Sequence, residues 1–506
     1  MRKKKAIYNV LTNLLLQIIY ILYGFIVPKI IISKFGSNIN GLVTSITQFL
    51  AYISLLESGF GPVVKAALYK PLAKKDNKTV NGILKTADKF FKTISMIFIA
   101  YIMVLCIFYP IIVNKNFDYF FTISLIIIIS ISTFAEYFFG MTIKLLLQAD
   151  QKTYIISLIQ IFTYILSIIA IVIMAYLNLD ILMIKLVSGI IFVLRPIIQN
   201  IYVKKHYNLA PFDSVKEYPI KNKWDGLAQH IAAVIHNNTD VTVLTFFCTL
   251  EEISVYSIYY LVVKGLKSLI QAFNNGIDAI FGDMIAKNEK ENLNNKFNLY
   301  EIIYFSIVTV VFSSAMVLIV PFVEVYTNGV TDANYIRPLF GYLIVISEFI
   351  WAIRLPYSSI TLAAGHFKET RIGAWVECIS NILISILLVK SFGIVGVAIG
   401  TIVAMAIRTI EFIYHTSKYI LNRNLFLSIK KILAIVLDVI LINLSAIYIP
   451  MLNNNSYFNW LINAIIIALV ATIITILIDC MFYNKEMKQI LEKIKIGGNR
   501  KKWKHI

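Results

Sequence analysis

Acidic residues are scarce in this chain of 506: Asp and Glu total 28 against 47 Lys and Arg. Charge of either sign is scarce too, at 15% of residues against about a quarter in soluble domains, which excludes an ordinary globular fold. Only four cysteines occur, Cys106, Cys248, Cys378 and Cys480, all in or beside apolar runs. They share no metal-ligand spacing and form no disulfide framework. No Asp-x-Asp metal-binding pair is present, and no polar stretch is long enough for a catalytic domain outside a membrane. An enzyme of glycan assembly is thereby disfavoured, and the chain is read as a non-enzyme with no cofactor.

What is abundant is apolar sequence: 58% of residues are hydrophobic and mean hydropathy is +0.76. Runs near 20 residues, the length that crosses about 30 Å of hydrocarbon, recur from end to end. About fourteen membrane helices are expected, starting near residues 6, 41, 91, 119, 153, 179, 224, 254, 300, 338, 371, 394, 428 and 457. Met1-Arg2-Lys3-Lys4-Lys5 leads an uncleaved first span with a cytoplasmic N-terminus. Tracing the chain from there, the inside segments hold 35 Lys and Arg and the outside segments only Lys34, Lys115, Arg337 and Lys390. Positive loops resist translocation, so both termini are expected in the cytoplasm, and the formal charge of +19 needs no nucleic-acid partner. The basic tail, Lys485 to Lys504, is suited to anionic lipid besides.

The halves resemble each other. Leu147-Gln148-Ala149-Asp150-Gln151-Lys152-Thr153 leads to Arg195 as Leu362-Ala363-Ala364-Gly365-His366-Phe367-Lys368 leads to Arg408. Asn40-Gly41 opens a span as Val255-Tyr256 opens another, 215 positions on. Six spans duplicated in the same orientation make a parallel repeat. The expected organisation is a six-helix lobe over 1–203, a cytoplasmic linker over 204–223, a second six-helix lobe over 224–423, two further helices over 424–484 and a basic tail over 485–506.

Polar residues recur at helical spacing within the apolar runs. Asn9, Asn13, Gln17 and Tyr20 line the first span; Thr44, Gln48, Tyr52 and Glu57 line the second. The longest stripe is in the eighth: Tyr256, Tyr260, Lys264, Lys267, Gln271, Asn274 and Asp278. Two lysines near the centre of a membrane helix create a local positive field suited to phosphate or carboxylate. The alternative is that they pair with Asp240 or Glu136 and join helices. Glu136, Gly140, Lys144 and Gln148 mark the fourth span, Lys185, Ser188, Arg195 and Gln199 the sixth, and Ser347, Trp351, Arg354, Ser358 and Thr361 the tenth. Arg195 and Arg408 read as interfacial anchors, and Arg408 with Glu411 as an intrahelical pair. Asp240, in the polar block His236-Asn237-Asn238-Thr239-Asp240, and Glu57 are the candidate ion-coupling carboxylates.

The sequence Lys34-Phe35-Gly36-Ser37-Asn38-Ile39-Asn40-Gly41-Leu42, with Leu55-Leu56-Glu57-Ser58-Gly59-Phe60-Gly61, resembles the opening of bacterial polysaccharide-export flippases of the Wzx type. These belong to the multidrug/oligosaccharidyl-lipid/polysaccharide (MOP) exporter superfamily. Asn238-Thr239-Asp240, Val255-Tyr256-Ser257 and Ser391-Phe392-Gly393-Ile394-Val395-Gly396-Val397-Ala398-Ile399-Gly400 extend the resemblance along nearly the whole chain. It implies an all-α fold of two six-helix lobes around a central, basic cavity, plus two C-terminal helices, in the bacterial cytoplasmic membrane. It further implies transport of a polyprenyl-pyrophosphate-linked oligosaccharide for surface polysaccharide biosynthesis, alongside polysaccharide polymerase and export machinery. On that reading Lys264 and Lys267 hold the anion, Lys144 and Arg354 assist, and Asn13, Gln17, Gln48 and Gln271 bond sugar, with Na+ or H+ coupling open. The alternative within the superfamily is a cation-coupled exporter of drugs or small amphiphiles. Against it, the first span carries no acid.

Overall fold

A computed structural model describes residues 2–57, 59–113, 117–210, 216–218, 227–275, 278–287, 289–489 and 492. Lys115, half of the 204–223 linker and most of the basic tail lie outside the described residues, as does the side chain of Asp278.

Among the described residues the chain is helical without strands. Seventeen α-helices follow one another: α1 (Arg2–Ala51), α2 (Ser54–Glu57), α3 (Phe60–Lys74), α4 (Asn77–Val113), α5 (Tyr119–Ala135), α6 (Met141–Ala149), α7 (Thr153–Tyr176), α8 (Ile181–His206), α9 (Leu227–Phe247), α10 (Leu250–Asn275), α11 (Asp278–Ala286), α12 (Lys290–Tyr326), α13 (Pro338–Ala363), α14 (Arg371–Phe392), α15 (Ile394–His415), α16 (Leu425–Ile447) and α17 (Tyr457–Phe482). Single π-helical turns, Glu136–Gly140 and Thr416–Ile420, follow α5 and α15. The protein is a polytopic all-α membrane protein.

Eleven of the described helices are long and apolar enough to cross a bilayer. Three expected spans explain the difference from fourteen. At 1.5 Å per residue a straight α1 would be about 75 Å long, over twice the hydrocarbon thickness. It is interrupted at Gly36, whose φ of 85° lies in the left-handed region, so one continuous element supplies the first two spans. The expected spans at α9 and α16 are interrupted by polar and charged residues. Every 18-residue stretch of α16 includes Lys430, Lys431 and Asp438, and α9 carries the Asn237-Asn238-Thr239-Asp240 block.

Helix starts are set by local capping. Asp118 accepts hydrogen bonds from the Phe120 and Phe121 amides, Asp180 from Leu182, Asn424 from Phe426 and Ser456 from Asn459. The repeat shows in the order of elements. The second and eighth expected spans are each followed by a short helix, α3 or α11, and then by a helix of 37 residues, α4 from position 77 and α12 from 290, 213 apart.

The helices pack into two compact units. The first holds Met1–Ser257 with Gly329–Ala333; the second holds Ile258–Asn328 with Asn334–Ile506. The change of unit falls within α10, so α9 packs with the first unit. There the kinked α1 lies along α7 and α9, and α3 to α6 and α8 complete the layer. In the second unit α13 lies against α12 and α15, α14 pairs with α15, and α16 and α17 lie on α12. Much of the apolar surface is uncovered, including Phe108, Phe120, Leu387, Ile410 and Leu469, as lipid-facing helices require.

Candidate functional site

In the first unit, the polar face of the second half of α1 is zipped to α9 and the start of α10. The Asn38 amide donates to Glu251 (2.5 Å), Asn40 to Ser254 (2.8 Å) and Ser257 (3.2 Å), Ser45 and Thr245 share a bond of 2.7 Å, and Tyr52 meets Thr242 at 2.9 Å. Gln48 donates to Asn238 Oδ1 and to the Asn237 carbonyl (3.3 Å). The close approach depends on Gly41: a Cβ there would stand 1.9 Å from the Leu250 carbonyl oxygen. Tyr256 donates to Asp240 Oδ2 at 2.8 Å. The stripes on the second and seventh spans thus face each other, each supplying the other's hydrogen bonds.

The first span is similar. Asn9 donates to the Gln151 carbonyl (3.1 Å) and accepts from the Tyr154 amide (2.7 Å), and Asn13 accepts from Ser157 (3.2 Å), tying α1 to the start of α7. Gln17 is half-buried one turn further on.

The π-helical turn after α5 gathers the charged residues of this unit. Lys144 Nζ lies 3.1 Å from Glu136 Oε1, and the Tyr137 hydroxyl donates to Glu57 at 3.2 Å. Glu57 and Lys144, far apart in sequence, are therefore joined through consecutive residues of a turn type that is rare and frequent at functional sites. Arg195 donates from Nε to Thr163 (2.8 Å) with its guanidinium over Tyr164 (4.4 Å) and Phe192 (4.1 Å). This is an aromatic clamp between helices rather than an anchor reaching outwards.

In the second unit the charges are threaded along α13. Lys267, at the middle of α10, is 2.9 Å from Glu348 and stands over the Trp351 ring at 4.5 Å. Lys264 is exposed one turn before it and Gln271 half-buried one turn after. Asn274 donates to Ser359 (2.6 Å) and accepts from Tyr300 (2.7 Å). Six residues beyond Glu348, Arg354 is bonded to Glu377 (2.5 Å), which Arg408 approaches at 3.6 Å. Arg408 also pairs with Glu411 and donates to the Thr370 carbonyl (2.7 Å). It is 5% exposed, so it is a buried member of an ion network. Gly373 admits this network: a Cβ there would lie 1.6 Å from a Glu411 oxygen.

The arrangement can present positive charge whose neutralising carboxylate comes from another helix. Lys267 has such a partner in Glu348 and Arg354 in Glu377, while Lys144 takes Glu136 from the π-helical turn of its own span. An arriving anion would exchange with a carboxylate, so the desolvation of these cations is already met before it binds. Glu301 was not foreseen from sequence. Fully buried in α12, it takes Arg423 through both carboxylate oxygens (3.0 and 2.9 Å), together with Lys431 and the Tyr357 hydroxyl. A lone Glu near the start of an apolar run carries no periodicity that could reveal it.

No family model matches the sequence, and no curated protein is significantly similar to it. Solved structures with the same fold exist. The lipid II flippase MurJ, in an inward closed conformation, matches with a TM-score of 0.70 and 17% identity, covering 95% of this chain and 100% of its own. An inward-facing multidrug resistance MATE family transporter of the MOP superfamily matches at 0.60 and 11% identity, over 79% of this chain and 94% of its own. A MOP superfamily transporter from Pyrococcus furiosus, described by a binding pocket of reverse polarity, matches at 0.53 and 14%, over 82% and 95%. The chain has the fold of these transporters.

Proposed function

We propose that this protein is a flippase that carries a polyprenyl-pyrophosphate-linked oligosaccharide across the bacterial cytoplasmic membrane by alternating access, and is not an enzyme. The observation that carries the reading is α10. Its membrane segment, at a mean hydropathy of 1.3, is the least apolar of the eleven, and it places Lys264 and Lys267 at mid-helix. Intramembrane lysines are costly and mark pathways for polar cargo. The pyrophosphate replaces Glu348 as the counter-ion of Lys267, Lys264 adds a second charge, and Gln271 is positioned for a sugar hydroxyl. Lys144 and Arg354, each carboxylate-paired, exchange partners in the same way. The prenyl tail stays in lipid while the anion and sugar avoid the hydrocarbon. The match to MurJ supports this reading, since it spans nearly the whole chain, whereas the MATE match above leaves about a fifth of it outside.

The test is leaflet-resolved transport in proteoliposomes, with an external lectin detecting a polyprenyl-pyrophosphate oligosaccharide, under sodium and proton gradients. Protein-dependent appearance of sugar that falls at least tenfold in the Lys264→Ala/Lys267→Ala double variant, with Lys74→Ala unaffected, is expected. Absence of sugar transport together with cation-driven dye efflux abolished by Asp240→Asn would transfer the assignment to a drug exporter.

A further inference from the structure

The two helices that follow the repeat enclose a site the transport reading does not use. Between α12, α16 and α17 lies a cavity lined by Ser306, Thr309, Lys431, Asp438, Asp479 and Tyr483, with apolar walls from Ile302, Phe305, Ala434 and Ile435. It is small, with room for a single occupant about the size of a water molecule.

Its polar inventory is unbalanced. Asp438 and Asp479 are 2% and 7% exposed, and Thr309 is fully buried. Asp479 accepts from the Ser306 hydroxyl at 2.6 Å. Asp438 Oδ1, Thr309 Oγ1 and the Tyr483 hydroxyl are buried without a hydrogen-bond partner. A threonine within a helix ordinarily bonds the carbonyl one turn back, as Thr327 does with Val323. Thr309 leaves its oxygen to the cavity. Lys431, the cation on the wall, is committed elsewhere: its ammonium bonds Glu301 and Asn298 Oδ1 (2.5 Å). Two carboxylates facing one low-dielectric space require a positive occupant or lose their charge.

We propose that this cavity is a sodium site, with the ion held by the carboxylates of Asp438 and Asp479 and the hydroxyls of Thr309 and Tyr483. All-oxygen donors suit a hard cation. A magnesium ion keeps several waters, for which the space is too small, and calcium takes six to eight oxygens. The described residues contain no cluster of three or more acidic, His or Cys side chains fit for a metal. A monovalent ion matches the volume and the oxygen donors and offsets one of the two negative charges, and it fastens α16 and α17 to α12.

The experiment is equilibrium binding of radioactive sodium to the purified full chain in detergent, read without any transport. Melting in sodium chloride and in choline chloride at equal ionic strength accompanies it. The parent should bind one sodium that Asp438→Asn and Asp479→Asn lose, each weakening affinity by about tenfold or more, as removal of a charge-assisted ligand does. Asp240→Asn retains it. Thr309→Val, near-isosteric, weakens binding several-fold while melting as the parent does in choline, and it carries the test if an aspartate variant fails to fold. Sodium binding unchanged in Asp438→Asn and Thr309→Val overturns the proposal. So does a parent that takes up no sodium and whose melting responds to pH alone, which would make the two carboxylates a proton pair.

Discussion

Glu301 shows how a single side chain can organise charges that sequence spacing leaves unrelated. Arg423, 8% exposed, and Lys431, 5% exposed, converge on it from the π-turn loop and from α16. Replacing it with glutamine removes the charge but preserves the shape, leaving two buried cations uncompensated. The cost of breaking a buried pair is roughly 3–5 kcal/mol. Glu301→Gln is therefore expected to lower the melting temperature and the yield of folded protein severely, whereas Glu369→Gln, an exposed surface change, should leave both unaltered. Fluorescence-detected size-exclusion after a temperature series reads this directly. The residue scale is also where sequence reading reached furthest and stopped. Spacing of three and four residues disclosed the stripes holding Gln48 and Lys267, and a run of consecutive polar residues disclosed Asp240. Which residues meet across helices is not legible in the spacing: Gln48 meets Asn238, Asp240 meets Tyr256 and Lys267 meets Glu348, each on another helix.

Elements were legible where a long apolar run has a sharp start. The expected starts at 119, 153, 338, 371, 394 and 457 are the starts of α5, α7, α13, α14, α15 and α17. The short α3 and α11, and the first turns of α4 and α12, escaped because segments too short or too polar to read as a span look like loop until they pack. One such junction ties three elements together. Asp150, in the turn after α6, receives the Tyr207 hydroxyl (2.6 Å) from the end of α8 and lies near Lys152 (2.9 Å) and near Lys5 (3.5 Å) at the start of α1. Burial raises its pKa, but these partners more than offset it and hold the carboxyl below its ordinary value of 3.8. A depressed carboxylate stabilises the folded state above the unfolded pKa, and that contribution is lost as pH falls through the folded one. Asp150→Asn should thus melt lower than the parent at neutral pH, by on the order of 1 kcal/mol for a group a quarter exposed. The two melting curves should converge as pH is taken below about 4, and a gap that persists there would assign the loss to packing instead of charge.

At the scale of the whole molecule, composition alone identified the solvent: an all-α chain for a bilayer, with its apolar faces turned outwards. What it left open is which end of each helix is cytoplasmic, because packing within a unit is indifferent to the sign of the outside. The argument for orientation is the distribution of Lys and Arg, 35 to 4 between alternate connections, which bears on insertion and not on folding. It makes a definite claim about exposed positions in the described loops. In a chain with Cys106, Cys248, Cys378 and Cys480 replaced by serine, Thr331→Cys and Asn455→Cys should react with a membrane-impermeant maleimide on intact cells. Ala73→Cys and Lys205→Cys should react only after permeabilisation. The reverse pattern would invert every span at once, place both termini outside and turn the inside-to-outside direction of the proposed transport around. A mixed pattern at the two outer positions would mean that an odd number of the four helices between them, α13 to α16, crosses the membrane.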